Sequence, residues 1–449
     1  MGLHGLFPVL RVFSAIGWWK HQFKISPAKI FRGLLIGLLL ALLPRMAAAE
    51  STTWTIESTV QRVVQVAPEV RAADAEVAAR EGELGQAGAW PNPSVDVRAD
   101  DRLGQEDGRG GTDFTQLAIS QPLPLRRLAR QRAAAEASLK GAHEERRYQR
   151  LLLEREAARA FHALQLAEAR AALARSRVDL AEGYGRSAAG KTRDPLVRYL
   201  SPLERMRLDV LREEAGQTVM AAEKDYQKAL AEFRSLLALP VDVTVQTAPL
   251  DLAAAPPALA ELERRLDAQP FVMAARQEVE AARAGVGVAE SQRFADPALN
   301  LFRERDVLNG ARRDVSGIGV SIQIPLWNQN RGPVDKAKAE ALRAQTQLDI
   351  RQRDAMVRLH QSYTDLALLI EQAERTRARL LDPARQVFEI TRRGFSAGEV
   401  NILALVDANN THFDAQARYL DLLKETQVAA ADLRLAAGLS VATNEDPRP

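Results

Sequence analysis

Few residues in this 449-residue chain have the types and spacing needed to do chemistry on a bound substrate. It has no cysteine. Beyond residue 49 its histidines are His143, His162, His360 and His412, too widely separated to give a ligand spacing for zinc or copper. There is no glycine-rich phosphate loop, no nucleophile elbow and no paired carboxylate in a recognisable context. The residues therefore predict no enzyme, no cofactor and no resident metal. Arg126, Arg127, Arg130 and Arg132 form a basic cluster that the solvated start of a helix explains adequately. More informative are three large aromatic residues, Trp90, Phe294 and Trp327, which stand where β-like segments begin or end. Such rings either form a girdle at a membrane interface or pack at helix–strand junctions.

The elements that would position them begin with a separate leader. Residues 1–49 hold six basic residues (Arg11, Lys20, Lys24, Lys29, Arg32, Arg45) and no acidic one. The apolar run GLLIGLLLALL at 33–43 follows, and then the small residues Ala47, Ala48 and Ala49. That order predicts a secretory signal peptide, 1–49. The other reading, an anchor helix, meets the difficulty that a spanning helix needs about 20 apolar residues. Removing the six leader charges from 61 basic residues leaves fewer than the 58 acidic ones, a net charge of −3. The basic balance of the whole chain thus argues for no nucleic-acid partner. Residues 50–449 contain no apolar stretch long enough for a helical span, so the remaining way across a bilayer is a closed β-barrel.

The rest of the chain is written twice. Trp90-Pro91-Asn92-Pro93-Ser94-Val95 matches Phe294-Ala295-Asp296-Pro297-Ala298-Leu299. Ile119-Ser120-Gln121-Pro122-Leu123 matches Ile322-Gln323-Ile324-Pro325-Leu326. Pro68-Glu69-Val70 matches Pro270-Phe271-Val272, and the segment from Ala229 to Leu239 matches that from Ala429 to Leu439, all at offsets between 200 and 204. The order of the matches predicts a first repeat over 50–239, a linker over 240–257, a second repeat over 258–439 and a flexible tail over 440–449. Each repeat reads as a helix, two strands (about 94–102 and 112–122; about 298–306 and 315–326), a long helix (about 126–189; about 333–396) and a second helix (about 202–238; about 400–437).

Leu153, Ala157, Ala160, Leu164, Ala167, Ala171, Ala174, Val178 and Ala181 alternate steps of four and three, a heptad seam for helices that coil around each other. Leu359, Tyr363, Leu366, Ile370 and Ala373 repeat it. A plain coiled-coil rod would carry the same seam, so the strands must decide. Ile318, Val320, Ile322, Ile324 and Leu326 alternate with small or polar residues, as do Val95 and Val97. The segments between the strands, 103–112 and 307–314, are polar and read as loops. Four strands cannot close a barrel, whose smallest examples have about eight. An open edge is not viable in lipid, so several chains must share one.

With these features the chain resembles the TolC family of outer-membrane factors. The motifs are PNP at 91–93, QPL at 121–123, IPLWNQNRG at 324–332 and AGEVNILALVDAN at 397–409. The third, with PNPSVDV, is most similar to the CzcC-like, heavy-metal efflux branch. The resemblance implies an α+β membrane protein acting as a homotrimer. Its twofold-repeated protomers each give four strands to a shared 12-stranded barrel in outer-membrane lipid. Their long antiparallel helices form a periplasmic tube. It also implies a periplasmic adaptor (membrane fusion protein), an inner-membrane RND pump as energy source, and a heavy-metal cation as cargo. Drug efflux and type I protein secretion are the alternatives within the family, and a periplasmic coiled-coil adaptor is the alternative outside it. Gly190 and Gly398 match the hairpin tips that would meet the adaptor, the first beside an insertion between Gly190 and Pro202. Asp407 matches an acidic position lining the closed periplasmic aperture. The neighbouring acidic position falls on Ala404, so the implied ring is single. The alternative for Asp407 is a solvated aspartate on a helix face.

Overall fold

A computed structural model describes residues 53–99, 114–188, 201–308 and 311–442. The expected leader, Gly190 and the last seven residues lie outside the described residues.

The first half opens with a two-residue strand, β1 (Thr53–Trp54), and a helix, α1 (Ile56–Val66). The helix starts at a capping box: the Ser58 amide donates to Thr55 Oγ1 at 3.3 Å, and the Thr55 amide donates to Ser58 Oγ at 3.0 Å. Pro68 ends α1 and opens α2 (Pro68–Ala87), where a missing N–H costs no helical hydrogen bond. Strands β2 (Ser94–Ala99) and β3 (Phe114–Pro122) follow. Next comes α3 (Arg127–Ala188), 62 residues and about 93 Å long at 1.5 Å per residue. The return helix α4 (Pro202–Leu236) begins at a second capping box, made by Ser201 and Glu204.

The segment 240–257, read as a linker, carries β4 (Gln246–Thr247), which pairs in parallel with β1. Two residues give too little pattern for a sequence to announce such a strand. A short helix, α5 (Leu259–Arg264), and a 3₁₀ turn (Leu266–Ala268) precede α6 (Pro270–Ser291), again with proline at its start. Then come β5 (Ala298–Leu308) and β6 (Ala311–Ser321). The outgoing helix is divided into α7 (Arg331–Thr376), a π turn (Arg377–Leu381) and α8 (Asp382–Ser396). Pro383 explains the division. It offers no N–H to the preceding turn, and the ladder widens so that the Asp382 amide reaches back to the Arg377 carbonyl. The return helix α9 (Ile402–Ala436) matches α4 in length, at 35 residues.

The two hairpins form one antiparallel sheet in the order β2-β3-β5-β6. The second hairpin departs from the sequence expectation at both ends. Residues 307–314 are mostly strand, with pairing from Ala298–Ser321 up to Leu308–Ala311. Their charges read as a loop, but opposite charges face each other across the ladder, as Arg305 and Asp314 do. At the other end β6 stops at Ser321 rather than near 326, because β5 begins at Ala298 and 322–326 have no partner strand among the described residues.

Each half builds its own helical core. In the first, Leu153, Phe161 and Leu164 of α3 pack with Val60 and Val63 of α1 and with Leu230 and Phe233 of α4. In the second, Leu348, Leu359 and Leu366 of α7 pack with Val272 and Val279 of α6 and Leu433 of α9. Most of the heptad seam of α3 is buried, including Ala157, Leu164, Ala171, Ala174 and Ala181. The halves are joined by packing, α3 against α6 and α9 and Leu208 of α4 among Phe388, Ile402 and Leu405, and by charges: Arg170 grips Asp421 with two bonds, at 2.6 and 2.7 Å, and Arg159 grips Asp432 at 2.9 and 3.1 Å. Glu154, 1% exposed, accepts from Arg150, from Ser440 Oγ at 2.5 Å and from the Val441 amide at 3.1 Å. That contact ties the first residues of the expected tail to α3.

Candidate functional site: a two-faced sheet, a hairpin tip and an acidic stripe

Register turns the sheet into two chemically different surfaces. Val95 lies beside Ile119, Ile119 beside Leu301, and Leu301 beside Ile318, so one apolar row crosses all four strands. Val97 and Leu117 form part of the row on one side of it, and Leu299 and Val320 part of the row on the other. All of these but the half-buried Leu299 are among the large exposed hydrophobics of the molecule, with Ile318 at 73%. The alternate positions form the opposite face: Ser94, Ser120, Asn300 and Gly319 in one row, Asp96, Ala118, Phe302 and Gly317 in the next. Phe302, the residue that spoils the alternation of β5, covers Gly317: a Cβ there would lie 2.5 Å from the ring. Among the described residues, outer strands β2 and β6 each keep one unpaired edge.

The sheet's feet are tied together. Gln121 donates to the Pro91 carbonyl at 2.9 Å, and the Leu123 amide to the Pro297 carbonyl at 2.8 Å. Trp90, Phe294 and Trp327 all lie at this level and are exposed, Trp327 to 93%. They are not packed at the helix–strand junctions of the single chain. The arginine cluster below is partly braced rather than merely solvated. Arg127 meets Asp296 at 3.0 Å, and Arg130 donates to the Gly287 carbonyl, fastening α3 to α6 and the start of β5.

At the far end of the second helical hairpin, Gly398 has φ +76°. Its amide donates to the Phe395 carbonyl at 3.0 Å and the Glu399 amide to the Gly394 carbonyl at 2.9 Å, closing α8 in a Schellman motif that glycine adopts without strain. Asn401 then caps α9 by accepting from the Ala404 amide at 2.9 Å. Asp407 is exposed and makes no ion pair among the described residues. Ile402, Leu405, Ala408 and Asn409 take the buried side of that helix. The exposed stripe continues through Thr411 to Asp414, two turns on. Asp414 was the residue missed in the sequence; its signal is the seven-residue step from Asp407.

Three of the four histidines beyond residue 49 touch other side chains of the fold. His162 is buried, its Nδ1 2.7 Å from Gln165 Oε1, and burial pushes its pKa below the usual histidine value. Gln165 in turn donates to the Ala248 carbonyl of the linker. His360 meets Glu263 at 2.8 Å, and His412 stacks on Phe388. Among the described residues no group of three or more His, Asp or Glu could hold a metal ion, and no helix is long and apolar enough to cross a membrane.

The comparisons with known proteins agree with this geometry. The chain is 28% identical over 428 residues to the cobalt-zinc-cadmium resistance protein CzcC of Cupriavidus metallidurans, covering 89% of this chain and 97% of that one. Its fold matches the open state of the Neisseria gonorrhoeae MtrE outer membrane channel at a TM-score of 0.69 and 16% identity, over 87% of this chain and 91% of that one. It matches a crystal structure of CusC at a TM-score of 0.65 and 18% identity, over 86% and 93%. The family model described as outer membrane efflux protein matches residues 59–191 and 261–439. A sheet apolar on one side and polar on the other, set on two long helical hairpins, is thus the build of an outer-membrane channel, and the chain belongs to the outer membrane efflux protein family.

Proposed function

We propose that three copies of the chain close a 12-stranded barrel and a periplasmic helical tube, and that heavy-metal cations leave the cell through it. The observation that carries the reading is the row Val95–Ile119–Leu301–Ile318. An apolar surface across four strands, backed by a polar surface and flanked by two unpaired edges, suits lipid outside and water inside. Joining β6 of one copy to β2 of the next removes every edge. It would also give 322–326, with exposed Ile322, Ile324 and Leu326, the neighbour strand they lack among the described residues. Trp90, Phe294 and Trp327 then sit at the periplasmic interface as an aromatic girdle.

The second hairpin descends to the tip at Gly398, where a periplasmic adaptor docks, its expected counterpart Gly190 lying outside the described residues, and an inner-membrane RND pump supplies the energy. Asp407 lines the aperture, and Asp414 adds a second ring about 10 Å further along, at 1.5 Å per residue. Two rings of carboxylates favour cations over anions. The cargo assignment draws on the likeness to a cobalt-zinc-cadmium resistance protein and on this acidic stripe.

A deletion strain tests it. It should lose tolerance to cobalt, zinc or cadmium and regain it with the intact gene, but only partly with D407N/D414N. Normal metal tolerance combined with drug sensitivity would move the cargo elsewhere and leave the duct intact.

A further inference from the structure

The side of the sheet read above as lipid-facing does not end in neutral residues. Continuing up β5 on the face that carries Leu299 and Leu301 come Arg303 and Arg305, and on β6, on the face of Ile318 and Val320, comes Asp314. One carboxylate holds both guanidiniums: Arg303 Nη2 lies 2.8 Å from Asp314 Oδ2, and Arg305 Nε 3.2 Å from Asp314 Oδ1. The group carries a net positive charge on an exposed surface. Among the described residues each guanidinium gives one of its five donors to Asp314, which leaves others for a further partner.

Height decides what meets it. Carried on as extended chain, 318–326 rises about 27 Å along the strand at ~3.4 Å per residue. Tilted by about 40°, that is ~20 Å of thickness, close to the ~25 Å apolar band of such barrels. Trp327 marks its lower end and the arginine pair its upper end, next to Ser316. A positive charge in the middle of the band would be strongly unfavourable, whereas at its rim it meets headgroups. At the outer rim of an outer membrane those are phosphorylated glycolipids.

We propose that Arg303 and Arg305, held side by side by Asp314, form a seat for the phosphate of an outer-leaflet glycolipid headgroup, one seat per copy. Asp314 is a positioning residue: it orders two long side chains before the lipid arrives, and their remaining N–H donors bind the phosphate oxygens by charge-assisted hydrogen bonds. The inference rests on the membrane reading of the sheet proposed above.

The test titrates the purified full-length protein in detergent with lipid A, with dephosphorylated lipid A and with inorganic phosphate, and follows retained lipid by native mass spectrometry. Lipid A should stay bound to the wild type. Binding to R303Q/R305Q should be about tenfold weaker, the size of a lost charge-assisted contact. R353Q/R375Q, which removes two arginines from α7, should bind as the wild type does. Equal retention by R303Q/R305Q, equal binding of the dephosphorylated lipid, or full displacement by inorganic phosphate would each overturn the seat. Heat-modifiable migration of the same samples reads the barrel separately. A folded barrel with unchanged lipid affinity sinks the seat alone, whereas a chain that never migrates as a barrel sinks the membrane reading and the seat with it.

Discussion

The sheet and the helices place their apolar side chains in opposite ways. In the helices Phe233, Leu164 and Leu359 are sealed inside the chain's own core. In the sheet Val95, Ile119, Ile318 and Val320 are exposed on one face, and the opposite face carries the row Ser94, Ser120, Asn300 and Gly319. The helical hairpins can therefore gain most of their stability from one chain in water. The sheet cannot: its apolar face has no partner element among the described residues, and the proposed function gives it lipid and a neighbour's edge instead.

The contrast can be broken by mutation, with the largest effect in the helices. Phe233→Ala removes a fully buried ring and should cost about 3–5 kcal/mol, read as a fall in the thermal midpoint of the helical signal. Ile318→Arg should cost about 2–4 kcal/mol of barrel stability if the apolar face meets the middle of the bilayer. Ser120→Arg, on the polar face, should leave assembly nearly intact. Equal loss of the heat-modifiable form in both variants would refute the two-faced sheet.

A smaller effect compares the repeats themselves. Where the second closes α9 with Gly438 at φ +71°, the first closes α4 with Ala238 at φ +49°. The surrounding bonds are the same: Leu239 donates to the Arg234 carbonyl as Leu439 does to that of Arg434. Gly438→Ala should cost about 1–2 kcal/mol for the left-handed backbone, and a Cβ there would also press on Gln269 and Pro270. Ala238→Gly should be neutral or stabilising by less than ~1 kcal/mol, since glycine accepts the angle but loosens the unfolded chain.

The smallest effect concerns pH and the helical part alone. Burial depresses the pKa of His162 in the folded state below the ordinary 6.5, so the unfolded chain takes up the proton first. Its share of stability is present above pH 6.5 and is lost as pH falls through the lower folded value. His162→Gln should flatten that part of the stability profile. An unchanged slope below pH 6.5 would show that the imidazole is not held neutral.

These comparisons also show what could be read from residues alone. The alternation Ile318-Gly319-Val320 and the α3 seam were legible because one period governs many residues, and the twofold repeat because motifs recur in order. The upper half of the second hairpin was hidden by its own charges. Asp314 reads as a loop residue until Arg303 and Arg305 are seen across the ladder. Nothing near Glu154 in the sequence marks it as buried, since the groups that accompany its burial, Ser440 and Val441, lie nearly 290 positions away. Pro383 was visible, but the response of the helix to it was not. Asp414 needed only the heptad step from Asp407 to be noticed.

The π turn at 377–381 makes the two descending helices unequal mechanically. Alpha-helix α3 is one uninterrupted rod over its 62 residues, whereas the second descent is jointed 15 residues above its lower end. A joint of this kind is where a helix changes direction most easily. Deflection at the lower end is therefore localised in the short lever α8 and the Gly398 turn it carries. Helix α3 acts as the stiff post beside it.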